Sequence, residues 1–349
     1  MKVGIVGCGF IGQKHMRGLL RLNDVQLIGV YDVLAGRMDD LVNEYQTNRT
    51  HTAQPVTAYT TYQEMLDSPT IDVIAVTTPS GLHSGIAMEA LQAGKHVILE
   101  KPMTLSLQEA RAILTLAAKV DKQVAVCHQK RFLPHLQFVR KVIESGSLGQ
   151  LVYGGVSVFY NRDNAYYQSA TWRGTWRHDG GVLLNQGIHD IDLLLWMMGK
   201  PDSVQGNIAR LSHAIETEDT AAALLQMSNG ALARIEVTVS APRGASHERL
   251  DLVGTQGSIA LSGKMLESVQ AWHVPHTPHP QYQEVEPYEK LYADFYEAVQ
   301  QHRQPLSDGQ VGLQALETIF AVYESAHRGC VVRLPLVDFE TAKMAGFFA

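Results

Sequence analysis

The sequence predicts an α/β protein in two parts: a parallel sheet flanked by helices, then a region of long strands forming an antiparallel or mixed sheet. Three observations carry this. Short apolar runs alternate with helical stretches over the first 120 residues, a glycine-rich turn joins the first run to the first helix, and long strands take over beyond about residue 123. The early runs are Lys2–Val6, Gln26–Tyr31, Asp72–Val76 and His96–Leu99, and such alternation gives parallel strands with helices on both faces. Ser106-Leu107-Gln108-Glu109 is a capping box that starts a helix reaching about Val120, and Lys122–His128 reads as one more strand. Pro134 can open a helix, with Leu136, Val139, Val142 and Ile143 at helical spacing and Gly146 and Gly149 past its end. Leu151–Tyr160, Thr220–Met227, Ala231–Ser240 and Leu250–Val253 read as strands, with Asn229-Gly230 as a hairpin turn. Trp272–Pro280 reads as a loop, and Tyr288–Gln300 and Leu313–His327 as closing helices. The expected domains are residues 1–122 and 123–349.

Composition excludes several classes. A chain of 349 residues with 45% hydrophobic and 18% charged residues buries a sizeable core and is not disordered. Its net charge of −6 and lack of a basic block argue against nucleic acid as a partner. No apolar run is long enough to span a membrane, and the first residues already form a strand, so a cytoplasmic protein without a membrane partner is expected. The three cysteines are too scattered for a disulfide framework or a cysteine-based metal site. No metal is expected, since His273, His276 and His279 are poorly spaced for a shared ligand sphere.

The first chemical signal is Gly7-Cys8-Gly9-Phe10-Ile11-Gly12, between a strand and a helix, with Asp32 lying 32 − 12 = 20 residues further on. In a dinucleotide fingerprint the first glycine allows the tight turn, the second lets the backbone approach a pyrophosphate, and the third permits close helix–strand packing. The helix N-terminus offers free N–H groups to phosphate. Asp32 can accept from both ribose hydroxyls and would repel a 2′-phosphate, which favours NAD. Arg37 could meet that phosphate, so NADP stays open. The bland alternative is an ordinary βα turn.

Glu100-Lys101-Pro102 is the second signal. It ends a parallel strand beside Thr77-Thr78-Pro79-Ser80, which ends another, and ligands of open α/β sheets bind at those ends. A lysine there can polarise a substrate hydroxyl, although the tripeptide alone would pass for a surface loop. The third signal lies in Val182–Met198, an almost wholly apolar helix on which Asn185, His189 and Asp192 are spaced to share one face. Buried polar groups need partners, either protein groups or a hydroxylated substrate, and histidine suits a general base near neutrality. The fourth is aromatic density before that helix: Tyr153, Phe159, Tyr160, Tyr166, Tyr167, Trp172 and Trp176, with Arg162, Arg173 and Arg177 between them. Aromatic faces suit sugar rings and arginine forks suit carboxylate or phosphate, while packing on a partner subunit would use the same residues.

Together these segments resemble the glucose–fructose oxidoreductase / inositol dehydrogenase (Gfo/Idh/MocA) family over nearly the whole chain. The resemblance rests on GIVGCGFIGQKH at 4–15, TTPSGLH at 77–83, AGKHVILEKPMTLSLQEA at 93–110, CHQKRFLP at 127–134, WRGTWRHDGGVLLNQGIHDIDLLLWMMG at 172–199, EDTAAALLQMSNGA at 218–231 and LVGTQGSIAL at 252–261. It implies a Rossmann domain, a second α/β domain with an open-faced mixed sheet, and a homodimer or homotetramer. It also implies NAD(P)-linked hydride transfer at a carbinol carbon of a sugar, cyclitol or nucleotide-sugar. Lys101 matches the family's catalytic lysine and His189 its catalytic histidine, with Asn185 beside them. The cofactor is expected at Gly7, Gly9, Phe10, Ile11, Gly12, Asp32, Arg37, Thr77, Thr78, Pro79, His83, Glu100, Lys101 and Gln129. The substrate is expected at Lys101, Tyr160, Arg162, Trp172, Arg173, Asn185 and His189. Many members carry Asp where this chain has Asn185. The Asn-Gln-Gly-Ile-His spelling resembles nucleotide-sugar 3-oxidases acting on UDP-linked hexuronic acids, and the arginines suit an anionic substrate. Two alternatives are a redox-neutral NAD-dependent glycosidase of the same family and a non-catalytic NAD-binding regulator.

Overall fold

The computed structural model describes residues 1–50 and 54–349, which form two compact units. The first comprises Met1–Thr104, Gln108–Phe132 and Val285–Gly312; the second comprises Leu105–Leu107, Leu133–Glu284 and Leu313–Ala349.

The first unit is built on β1 (Lys2–Val6), β2 (Gln26–Tyr31), β3 (Thr57–Ala58), β4 (Val73–Val76), β5 (His96–Leu99) and β6 (Val124–Val126). They form a six-stranded parallel sheet in the order β3-β2-β1-β4-β5-β6. The central strands are apolar without alternation because both faces are covered, and every residue of β4 is buried. The connecting helices are α1 (Phe10–Leu19), α2 (Ala35–Asn48), α3 (Tyr62–Asp67), α4 (His83–Gln92) and α5 (Leu107–Lys119). A Thr61–Glu64 capping box starts α3.

The second unit carries α6 (Pro134–Glu144), with proline in its first turn, then β7 (Leu151–Phe159) and α7 (Asn164–Gln168). A π-helical turn over Leu183–Gly187 leads into α8 (Ile188–Met198), so the helix expected from Val182 is regular only from residue 188. Next come β8 (Pro201–Ala209), β9 (Thr220–Met227), β10 (Leu232–Thr238), β11 (His247–Gly254), β12 (Ser258–Ser262) and β13 (Ser268–His273). Trp272 and His273 are therefore strand residues, paired with β12, where a loop was expected. After α9 (Pro287–Gln301) and α10 (Gly309–Arg328), β14 (Val332–Arg333) completes an eight-stranded sheet in the order β13-β12-β11-β7-β10-β9-β8-β14. Among the described strands of this sheet, only β7 and β10 pair in parallel. Exposed and buried residues alternate along β9, so one face of the sheet packs inward, while Leu224 and Leu232 are exposed. The inner face of β7 meets α8, where Gly154 admits the Met198 side chain.

The helix α9 belongs to the first unit and packs on α1. A Cβ on Gly18 would lie 2.6 Å from the Cβ of Tyr288, so glycine there lets the two helices touch. This contact brings Tyr288, Tyr292 and Phe295 into the core of the first unit, where each buried aromatic contributes about 1.5–3 kcal/mol.

Candidate active site

In the first unit the candidate residues follow the carboxyl ends of neighbouring strands. Gly7 leaves β1 with φ +98°, and its N–H donates to the Tyr31 carbonyl at 2.8 Å. A Cβ there would lie 2.9 Å from the Thr77 carbonyl, and one on Gly12 would run into the Gly7 oxygen. Gly9 caps α1 in an extended conformation, and a Cβ added to it would meet nothing nearer than Arg37 Nη1 at 4.0 Å. No side chain caps this helix and its first turn holds no acid, so its N–H groups suit an anion. Phe10 is exposed and Ile11 half-buried beside them.

Asp32 follows β2. Its carboxylate accepts from Cys8 N at 2.7 Å and Leu34 N at 2.9 Å, and Arg37 Nη1 lies 3.9 Å away. Each oxygen retains a lone pair for a ribose hydroxyl. Burial and the Asp32 charge push the Cys8 thiol up to about 12, so it stays protonated. The cradle that a Cβ would fill, the uncapped helix start and the acid at the end of β2 fit a dinucleotide.

Thr77, after β4, donates its hydroxyl to the carbonyls of Val6 and Gly7, at 3.1 and 2.5 Å, and so ties its loop to the glycine turn. The buried His83 was expected to face a ligand, yet its ring nitrogens lie 2.8 and 2.9 Å from the carbonyls of Pro102 and Thr78. Burial pushes its pKa down.

Glu100 is likewise turned inward. Its Oε1 accepts from Tyr288 at 2.8 Å and from His15 Nε2 at 3.0 Å, and its Oε2 accepts from Lys101 N at 3.1 Å. Tyr292 meets His15 Nδ1 at 2.8 Å, so His15 as the Nε2–H tautomer satisfies the whole network. Burial alone would raise the Glu100 pKa, but the hydrogen bond from His15, with the Lys101 charge and the Tyr288 hydroxyl, outweighs it and brings the value to about 2. The carboxylate thus anchors the chain where Lys101 emerges, half-buried, at the end of β5. The Lys101–Pro102 peptide is cis. Gln129, also half-buried, follows β6 on the same edge.

In the second unit the candidate residues gather around the π-helical turn. Arg162 and Arg173 lie over the ring of Tyr166 at 4.7 and 4.1 Å, and Arg173 also over Trp172 at 4.6 Å. The Tyr166 hydroxyl donates to Asn185 Oδ1 at 3.4 Å, and Arg162 Nη2 donates to Gln186 Oε1 at 2.8 Å. Asn185 Nδ2 donates to the buried Asp179 carboxylate. His189 opens α8 and is half-buried. Because a π turn holds more residues than an α turn, the spacing of four no longer stacks Asn185 and His189 by itself. Tyr160 has its hydroxyl on Glu248, and Arg162 lies over its ring at 5.5 Å. Arg177 is exposed.

Asp179, Gln186 and Glu218 also meet this turn and were not among the expected site residues. Glu218 is fully buried under Gly181; its Oε1 accepts from Leu183 N at 3.0 Å and Tyr323 at 2.8 Å. Burial raises its pKa to about 8, with the Asp179 charge adding to the rise. The aspartate beside the glycine pair was the one available signal for Asp179.

Residues 1–128 match the model of the oxidoreductase family with an NAD-binding Rossmann fold, and residues 136–260 match the Gfo/Idh/MocA C-terminal domain. The chain belongs to the Gfo/Idh/MocA oxidoreductases, which bind NAD on the first of these domains. It is similar to the WlbA dehydrogenase of Bordetella pertussis, solved in complex with NADH and UDP-GlcNAcA: 30% identity, TM-score 0.86, covering 96% of this chain and 99% of that one. It is 27% identical to the NAD(+)-dependent scyllo-inositol 2-dehydrogenase of Bacillus subtilis, covering 75% of this chain and 73% of that protein. It is 26% identical to the myo-inositol 2-dehydrogenase of Thermotoga maritima, covering 74% of each. Among the described residues no helix is long and apolar enough to cross a membrane.

Proposed function

We propose that this protein is an NAD-dependent dehydrogenase that oxidises a carbinol carbon of a nucleotide-linked sugar acid. One observation carries the reading: Arg162 and Arg173 flank Tyr166 beside Asn185-Gln186, in a chain similar over nearly its whole length to a dehydrogenase solved with UDP-GlcNAcA. Two guanidiniums on an aromatic face suit a carboxylate or diphosphate attached to a ring, and a neutral cyclitol has no use for them.

The glycine turn, the start of α1 and Asp32 hold the dinucleotide, whose nicotinamide accepts the hydride when bound. Of the two candidate bases, Lys101 on the first unit and His189 on the second, one takes the hydroxyl proton of the substrate. Orientation of the reacting groups supplies much of the rate. We also place self-association on the open sheet face that exposes Leu224 and Leu232.

The test follows nicotinamide reduction by absorbance, with UDP-linked hexuronic acids against neutral inositols and hexoses. Reduction with the charged set alone supports the proposal. Reduction with the neutral set alone makes this a cyclitol or sugar dehydrogenase and returns the arginines to structural roles.

A further inference from the structure

Four side chains of the second unit form a directed chain of hydrogen bonds. Arg162 Nη2 donates to Gln186 Oε1 at 2.8 Å, Gln186 Nε2 donates to Asn185 Oδ1 at 2.6 Å, and Asn185 Nδ2 donates to Asp179. A guanidinium can only donate and a carboxylate can only accept, so the chemistry at each end is fixed. With both ends fixed, each amide between them has one orientation that sets no donor against a donor and no acceptor against an acceptor. All three bonds then run in one sense, and bonds aligned in this way polarise one another.

The Asp179 end is built for this task. The residue is buried, its Oδ2 accepts from Gly174 N at 2.7 Å, and its own N–H donates to the Thr175 carbonyl at 3.0 Å. A buried carboxylate is costly unless its charge is used, and a loop that needed only to pack would do better with an apolar side chain. The amide that Asp179 meets, Asn185, carries no charge of its own.

We infer that Asp179 is a positioning residue for the reaction: through Asn185 it supplies the negative charge that the amide lacks, and through Gln186 it fixes Arg162 for an anionic group of the substrate. This rests on the function proposed above. Asp179 itself touches neither substrate nor cofactor in this scheme.

The test compares the wild type with D179N, N185D and the swap D179N/N185D. kcat and KM are measured for NAD⁺ reduction with a UDP-linked hexuronic acid, and folding is read from the thermal melt and NAD⁺ binding. D179N keeps the shape and removes the charge, and it should lower kcat about tenfold or more with NAD⁺ binding unchanged. N185D sets two carboxylates against each other and should lose about as much. The swap restores one charge and one amide across the same contact and should return kcat to within about threefold of wild type. A D179N kcat within about twofold of wild type, or a swap no better than the product of the single losses, would overturn the inference. Should D179N lose its cooperative melt, the swap alone decides, and an inactive or unfolded swap counts against the relay.

A second readout needs no turnover. The side-chain amide resonances of Asn185 and Gln186, assigned by their loss in N185D and Q186E, should exchange slowly with solvent in the wild type and quickly in D179N. Unchanged exchange would overturn the relay. A wild type that is silent with the sugar nucleotide but shows this difference would leave the relay standing and remove the proposed function.

Discussion

Gly7→Ala tests the cofactor cradle at its tightest point. Gly7 has φ +98°, a region that costs an alanine about 1–3 kcal/mol. The added Cβ would lie 2.9 Å from both the carbon and the oxygen of the Thr77 carbonyl, and 3.0 Å from Thr78 N. Ordinary contact begins at 3.4 Å, so backbone must move by 3.4 − 2.9 = 0.5 Å, and no flexible side chain can absorb the shift. Overpacking of this kind costs about 1–3 kcal/mol. The entropy that alanine removes from the unfolded chain returns only about 0.4–1 kcal/mol. The clash and strain therefore win, and the melt should fall by roughly 5–15 °C. The same shift pulls the N–H groups of the turn away from the pyrophosphate, and one lost charge-assisted bond weakens NAD⁺ about tenfold or more. The control is Gly85→Ala in α4, where nothing lies within 4 Å of the added carbon. It should raise the melt by about 1–4 °C and leave NAD⁺ binding alone. Calorimetry with and without NAD⁺ reads both effects. A Gly7→Ala protein that melts with the wild type and keeps its NAD⁺-induced shift would refute the reasoning.

Lys101→Met should lower turnover about a hundredfold or more while NAD⁺ binding, followed by fluorescence titration, stays near wild type. Asp32→Asn keeps an acceptor and removes the charge that repels a 2′-phosphate, so the ratio of KM values should move about tenfold toward NADP⁺. The two buried glutamates should act on stability in opposite senses. Glu100 has its pKa depressed to about 2, so its stabilisation is present above the ordinary 4.5 and is lost as pH falls from there toward 2. Glu218 is raised to about 8 from 4.5, so the folded state holds a proton that the unfolded chain releases, and its cost grows as pH rises across that window. Glu218→Gln should melt with the wild type below about pH 4.5 and progressively above it up to about pH 8; a constant difference would contradict the assignment.

Local patterns were enough to read the first unit as far as β6, apart from the two-residue strand β3. Its central strands are apolar, and the glycine turn stands in full context. The place of α9 was beyond such reading, because nothing near Tyr288 and Tyr292 in the sequence marks His15 and Glu100 as their partners. That contact engages the Glu100 carboxylate, while His83 lies between the Pro102 and Thr78 carbonyls. In the second unit the strands β9 and β10 were legible from alternation and the Asn229-Gly230 turn. The strands β8, β12 and β13 were not read from the sequence; β8 alternates in burial but with Gly206 among its inward residues, and all three pair with sheet neighbours. Asn185 and His189 could be singled out as polar residues on an apolar helix. The π turn that carries Asn185, and the loop that returns Asp179 to it, follow from packing and backbone geometry rather than residue spacing.

The most direct test of the account is isotopic. A UDP-linked hexuronic acid deuterated at its ring carbons is incubated with the protein and NAD⁺, and the dinucleotide is recovered for mass spectrometry. The account predicts reduced dinucleotide carrying a single deuterium from the sugar, and none when Lys101→Met replaces the wild type. Sugar consumed with unlabelled dinucleotide, or sugar left untouched while an inositol or hexose is oxidised, would contradict it.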